Sequence, residues 1–82
     1  MDSKKKKEAL IQFGKRLTQV RRAKKLSYRK LATLCDVDHS DIKKFEKGEV
    51  NITIATLMDL SIGLKVHPKE LLNFDAEFLK EE

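Results

Sequence analysis

The chain has 82 residues, enough for one small domain, and its single cysteine excludes an intramolecular disulfide. Hydrophobic residues make up 40% of the sequence, but three glycines and one proline are too few for a sheet-rich fold with many tight turns. No apolar run approaches the roughly 20 residues that span a bilayer, and a lone cysteine fits a reducing compartment, so we expect a cytoplasmic protein.

The net charge of +5 is distributed unevenly along the chain. Residues 1–30 contain 12 Lys/Arg and 2 Asp/Glu, residues 31–52 contain 3 and 5, and residues 53–82 contain 3 and 6, which gives +10, −2 and −3. A basic front and an acidic back would orient the protein in the field of a polyanion such as DNA. A solvated lysine-rich helix explains the same charges, so this pattern leaves both interpretations open.

The first helix is predicted from Glu8 to Lys24, because apolar residues recur there at spacings of three and four. These apolar residues are Leu10, Phe13, Leu17 and Val20. Residues 1–7 are expected to form a basic flexible tail or the frayed start of this helix, since four consecutive lysines repel one another. The tail either lies along phosphates or only aids solubility.

The segment Ser27–Gly48 predicts a short helix, a tight turn and a second short helix. Ser27 and Asp38 are suited to cap the two helices, and Gly48 to end the second. Asp36 is expected to adopt a left-handed conformation in the turn. The inward face is expected to consist of Leu31, Ala32, Leu34, Cys35, Val37, Ile42 and Phe45. This arrangement leaves His39, Ser40, Lys43 and Lys44 on the outer side of the second helix.

A fourth helix, Ile54–Leu64, is predicted after a cap at Thr53, with Leu57, Leu60 and Leu64 facing the core. Ile54, Met58 and Ile62 do not all fit on that face, which indicates a second interface. Pro68 is suited to the first turn of a short fifth helix that runs from Lys69 to Leu72. The following residues Phe74, Phe78 and Leu79 extend this helix, pack back on the core or meet a partner chain. The domain is thus expected to cover residues 8–74, with an acidic extension at 75–82.

Together these segments resemble the Cro/lambda-repressor-like family, the XRE-type helix-turn-helix regulators. The matching residues are FGKRL at 13–17, Arg21, LS at 26–27, LA at 31–32, Val37, Ile42, EKG at 46–48, the leucines at 57, 60 and 64, and PKELL at 68–72. The resemblance implies an all-α, compact five-helix DNA-binding domain with its motif at residues 27–48. The length and the segment NITIATL at 51–57 are similar to the restriction–modification controller proteins; phage-type repressors and antitoxin components are the other small members.

The resemblance also implies the site residues. Helix 39–47 would enter the major groove of double-stranded DNA, with base contacts from His39, Ser40, Lys43 and Lys44. Phosphate contacts would come from Lys15, Arg16, Tyr28, Lys47, Asn51 and Thr53. Arg21 would pair with Glu46, and Lys25 stands where the family often has glycine. A homodimer on two half-sites would use Met58, Ile62, Phe74 and Phe78.

Two acids on the second motif helix, Asp38 and Asp41, depart from what a DNA-reading helix of the family would need, because phosphates repel carboxylates. Either both stabilise the helix start, or one accepts from a cytosine amino group. They support an alternative function, a protein-interaction module such as an antitoxin-like partner.

Enzymatic and metal-dependent functions are not indicated by the sequence. The only histidines are His39 and His67, no serine has a matched base, and no glycine-rich phosphate loop is present. Cys35 is interpreted as a small core residue rather than a redox group. We therefore expect no enzyme activity, no cofactor, no metal site, no membrane partner and no small-molecule substrate.

Overall fold

A computed structural model describes residues 1–80, and over that range all regular structure is helical. The α-helices are α1 (Ser3–Ala23), α2 (Tyr28–Leu34), α3 (His39–Glu46), α4 (Ile54–Leu64) and α5 (Pro68–Leu71), followed by a 3₁₀ turn at Glu77–Leu79. The predicted all-α, five-helix fold is thereby confirmed. None of the helices in the described part is long and apolar enough to cross a membrane. The last two residues of the predicted acidic extension, 81 and 82, lie outside the described residues.

One apolar core receives side chains from all five α-helices. Its buried members are Phe13, Leu17, Val20, Leu31, Ile42, Leu57, Leu60, Leu64 and Leu71. Burying such a side chain stabilises a fold by roughly 1.5–3 kcal/mol, so this cluster is the main source of stability. Around it α3 packs against α1 and α2, and α4 packs against α2 and α5. Leu34, predicted to face inward, is 41% exposed because it lies at the rim where α2 ends.

α1 begins at Ser3, so the predicted start at Glu8 is wrong; of the two alternatives for residues 1–7, residues 3–7 form the start of the helix and not a flexible tail. The Asp2 carboxylate accepts a 2.8 Å hydrogen bond from the N–H of Lys5 and caps the first turn. Extending an existing helix adds one hydrogen bond per residue fixed, and lysine is a good helix former. The repulsion between the lysines is therefore outweighed.

Three helix ends use a residue in the left-handed conformation. These residues are Lys25 (φ 58°), Gly48 (φ 71°) and Lys65 (φ 55°). In each case the N–H groups of this residue and the next bond back to carbonyls of the last helical turn. Asp36 is not among the left-handed residues, so that prediction is wrong. At the ends of α1 and α4 the left-handed residue is a lysine, although this backbone conformation is disfavoured for residues that have a side chain.

The segment after α5 packs back on its own chain. The N–H of Glu77 donates to Oε1 of Gln12 on α1 at 3.1 Å, and Phe74 packs against the core. Phe78 is half-buried and lies near the first turns of α1. Phe74 therefore packs back on the core and the backbone of Glu77 returns to α1, whereas Leu79 stays 71% exposed. Both phenylalanines thus have an intramolecular role.

Candidate nucleic-acid interface

The candidate interface is built on α3, whose start is fixed by Asp38. Its carboxylate accepts from the N–H of Ser40 at 2.9 Å and from the Ser40 hydroxyl at 3.1 Å. The backbone hydrogen bond, followed by the hydroxyl bond, holds the pKa of Asp38 below its usual value. Asp38 therefore acts as the cap that its position in the sequence predicted, and Asp41 lies in the first turn.

The outer side of α3 carries the four residues predicted to contact bases. Ser40, Lys43 and Lys44 are exposed, and His39 is half-buried with Nδ1 3.4 Å from the Asp38 carboxylate. Ile42, on the opposite side of the helix, is completely buried in the core. The structure thus brings the four predicted residues together on one helix and leaves them accessible.

A buried ion pair ties α3 to α1. Arg21 donates from Nε to Glu46 Oε2 at 2.6 Å and from Nη2 to Oε1 at 3.0 Å, and the two side chains are 8% and 3% exposed. The hydrogen bond to Glu46 raises the pKa of Arg21. The Thr18 hydroxyl also donates to Glu46 at 2.8 Å. The sequence analysis missed this contact, although Thr18 lies one turn before Arg21 on the same side of α1. The predicted pair is present, and it fixes the angle of α3.

Two glycines let α1 cross the end of α3 at close range. A Cβ on Gly14 would lie 2.6 Å from the carbonyl oxygen of Phe45 and would also clash with that of Glu46. A Cβ on Gly48 would lie 2.8 Å from Cα of Ile11. The C-terminal end of α3 is therefore held against α1 by backbone contact as well as by the ion pair.

The residues predicted to contact phosphate fall into two groups. Lys47, Asn51 and Thr53 are exposed at the end of α3 and in the loop before α4, where Thr53 also caps α4 through a 3.1 Å bond from Thr56 N–H. Tyr28 lies at the start of α2 with its ring centroid 4.3 Å from Cζ of Arg21. Tyr28 and Lys47 thus lie within the motif, and Asn51 and Thr53 follow it in the loop before α4.

The other two predicted phosphate residues lie on α1, beside the C-terminal segment. Lys15 is exposed near Phe74. Arg16 donates from Nε to the Glu70 carbonyl at 2.6 Å, and its Nη2 lies 3.3 Å from the Glu70 carboxylate. Arg16 therefore joins α1 to α5, a structural role that the sequence analysis missed because the two residues are 54 positions apart.

The outer side of α4 is apolar and uncovered. Ile54, Met58 and Ile62 recur every four residues and are 70%, 41% and 67% exposed. This stripe is the surplus apolar face that the sequence predicted.

Cys35 is a half-buried free thiol at the edge of the core. Burial raises the pKa of the Cys35 thiol, and the residue packs against the core. Among residues 1–80 no three His, Cys, Asp or Glu side chains come close enough together to hold a metal ion.

Comparison with known proteins identifies the family. A family model described as "Helix-turn-helix" matches residues 17–71. Control protein C.BamHI of Bacillus amyloliquefaciens is 36% identical over 63 residues, which cover 76% of this chain and 78% of C.BamHI. The HTH-type transcriptional regulator PuuR of Escherichia coli (strain K12) is 39% identical over 64 residues, 78% of this chain but only 33% of PuuR.

A solved structure agrees with this assignment. The crystal structure of the restriction-modification controller protein C.AhdI from Aeromonas hydrophila matches with a TM-score of 0.73 and 37% identity, and the match covers 76% of this chain and 94% of C.AhdI. The family model's match at residues 17–71 extends over the motif and over Arg21 and Glu46. The chain belongs to the XRE-type helix-turn-helix family, whose members are DNA-binding transcription regulators and not enzymes.

Proposed function

We propose that this chain is a cytoplasmic, sequence-specific transcription regulator that inserts α3 into the major groove as a homodimer on a two-half-site operator. The observation that carries the proposal is the exposed side of α3, which is backed by the buried Arg21–Glu46 pair. Base contacts require side chains held in a fixed register, and a helix tied to its scaffold supplies that register. The two controller-protein relatives support a controller of the same class.

Base recognition would combine donors and an acceptor on α3. Lys43 and Lys44 would donate to the O6 and N7 acceptors of guanine. The hydroxyl of Ser40 donates to Asp38, so its lone pairs would accept from a base amino group. His39 would complete the set at the start of the helix.

Phosphate contacts would hold the protein in place on the duplex. We propose Lys47, Asn51 and Thr53 after the end of α3 and Tyr28 at the start of α2, with Lys15 as a further contact from α1. We leave out Arg16, because its guanidinium is bound to Glu70.

The dimer would form through the apolar stripe on α4. One copy of a small motif touches few bases, whereas two copies read half-sites about 34–36 Å apart on one face of the duplex. Ile54, Met58 and Ile62 supply the uncovered apolar surface that such an interface needs. We leave out Phe74 and Phe78, because they pack within their own chain.

Selection from random duplex DNA tests the proposed recognition. The wild-type protein should enrich one sequence, and Lys43→Ala and Lys44→Ala should relax the preference at one base position each. Lys47→Ala is the matched control, because removal of a phosphate contact weakens binding to all sequences alike. An identical preference in all three variants would exclude α3 as the recognition helix.

Sedimentation tests the dimer. Ile62→Glu should give a monomer, whereas Leu79→Glu, at a similarly exposed apolar residue outside α4, should leave the dimer intact. A wild-type protein that stays monomeric at tens of micromolar, with or without DNA, would contradict the dimer.

A protein-interaction module is the second candidate, and the exposed carboxylate of Asp41 on α3 favours it. The salt dependence of binding separates the two functions. Affinity for duplex DNA should fall steeply as salt rises, because protein binding releases counterions from the DNA and added salt opposes that release. A stoichiometric complex with another protein, together with no affinity for DNA at low salt, would support the interaction module.

A further inference from the structure

The four consecutive lysines at the start of α1 border two different surfaces. Lys6 and Lys7 face a groove shared with Lys47, Gly48 and Glu49 at the end of α3. The other two lysines, at positions 4 and 5, border a surface shared with Glu77 and Phe78 of the C-terminal segment. A run that is uniform in sequence is therefore divided by the fold into two pairs with different neighbours.

The position of the first pair is fixed by backbone contact. Gly48 lies against Ile11, and Lys7 precedes Ile11 by four residues, so it lies one turn further along the same side of α1. Lys6 borders the same groove, and Lys47 enters it from the neighbouring element. Three lysines thus border one groove beside the end of the proposed recognition helix, with Glu49 as the one acid among the lining residues.

The charges of these lysines do not stabilise the start of α1. The positive end of a helix dipole disfavours cations, and before Glu8 the one acid at this end is the capping residue Asp2. Lys4 and Lys7 also repel each other at a spacing of three. A polyanion beside the helix would reverse both effects, because each phosphate neutralises a charge that the free protein must tolerate.

We infer that Lys6 and Lys7, together with Lys47, form a phosphate-binding surface that extends the contact with DNA beyond the helix-turn-helix motif. This inference rests on the proposed function, because it assumes that the end of α3 lies at a duplex. Lys4 and Lys5 are excluded from this surface, since they do not line the groove that Lys6 and Lys7 share with Lys47. The ligand is the sugar–phosphate backbone of double-stranded DNA, without base preference.

The test compares two double variants of the full chain on the selected operator duplex. The first is Lys6→Gln with Lys7→Gln, and the second is Lys4→Gln with Lys5→Gln. Both reduce the net charge from +5 to +3, so a loss of long-range attraction affects them equally. Both also remove cations from a helix N-terminus, so the melting temperature should not fall in either.

The measured quantity is the slope of log affinity against log salt concentration. Each lost phosphate contact should reduce that slope by about 0.9. For the first variant this means that affinity falls about tenfold less than in the wild type between 50 and 200 mM salt. Its base preference should be unchanged, and backbone protection in a hydroxyl-radical footprint should shrink on the side next to Lys47. The second variant should keep most of the wild-type slope.

Two results would overturn the inference while leaving the proposed function intact. Equal slope changes in both variants would show that only total charge matters, and no change in either would show that the lysines lie away from the duplex. A wild-type protein with no affinity for any duplex would instead remove the proposed function, and this inference with it.

Discussion

Replacing Glu46 by alanine should destabilise the domain by about 3–5 kcal/mol, because it leaves the buried guanidinium of Arg21 without its counter-ion. The structure supports that magnitude. Glu46 accepts two bonds from Arg21 and one from Thr18. Hydrogen bonds to charged groups contribute about 1.5–3 kcal/mol each, so the two guanidinium bonds alone account for roughly 3–6 kcal/mol.

The expected loss is large compared with the stability of the whole domain. At roughly 0.05–0.15 kcal/mol per residue, a chain of this length has about 4–12 kcal/mol in total. Urea denaturation followed by far-UV circular dichroism measures the change, with the slope of the transition as a check on two-state behaviour. The Glu46→Ala protein should be marginally folded or unfolded at room temperature.

A double variant separates the cost of an unpaired charge from the contribution of the pair. Arg21→Met combined with Glu46→Leu removes both charges and keeps similar volumes, so it should recover most of the stability. In this variant the single hydroxyl proton of Thr18, which Glu46 and the Gly14 carbonyl share in the wild type, donates to that carbonyl alone. A loss of less than about 1 kcal/mol in Glu46→Ala, which is the contribution of an exposed ion pair, would refute this prediction. A double variant as unstable as Glu46→Ala would refute it as well.

Three further predictions concern the backbone and the cap of α3. Lys25→Gly should stabilise the protein by about 1 kcal/mol in thermal melts, because glycine adopts the left-handed conformation without penalty. Lys24→Gly, at a residue with φ −85°, is the control and should destabilise the protein. A change in stability of the same sign in both variants would contradict this prediction. Gly14→Ala should cost about 1–3 kcal/mol by forcing α1 and α3 apart, and an unchanged urea midpoint would disprove the close contact. The folded pKa of Asp38 is lowered, so its cap adds stability above the ordinary Asp pKa of about 4 and loses it as the pH falls through the folded value. The stability advantage of wild type over Asp38→Asn should therefore shrink on acidification, and a difference that is independent of pH would be inconsistent with a charged cap.

The local signals in the sequence were sufficient for the helix-turn-helix itself. Ser27, Asp38 and Thr53 each cap the helix that their positions predicted, through bonds to an N–H two or three residues further on. Such bonds depend only on the neighbouring backbone, so a short stretch of sequence contains all the information needed. The predicted bounds of α4 agree with the structure for the same reason. Lys25, flagged by the family resemblance alone, has the conformation of the glycine that it replaces.

The start of α1 was missed although a local signal for it was present. Asp2 is a favoured capping residue followed by good helix formers, and together these outweigh the repulsion between the lysines. His67 was missed in the same way: it caps α5 through Nδ1, which accepts from the N–H of Lys69 at 3.1 Å.

The sequence by itself determined the caps at Ser27, Asp38 and Thr53, the bounds of α4, the residues on the outer side of α3 and, through the family resemblance, the Arg21–Glu46 pair. Only the tertiary structure decided that Arg16 binds Glu70, that the C-terminal segment returns to Gln12, and that Lys6 and Lys7 lie beside Lys47. The physical reason is distance along the chain. A cap joins residues two or three apart, whereas these contacts join residues 40 or more apart, whose meeting depends on how every helix between them packs.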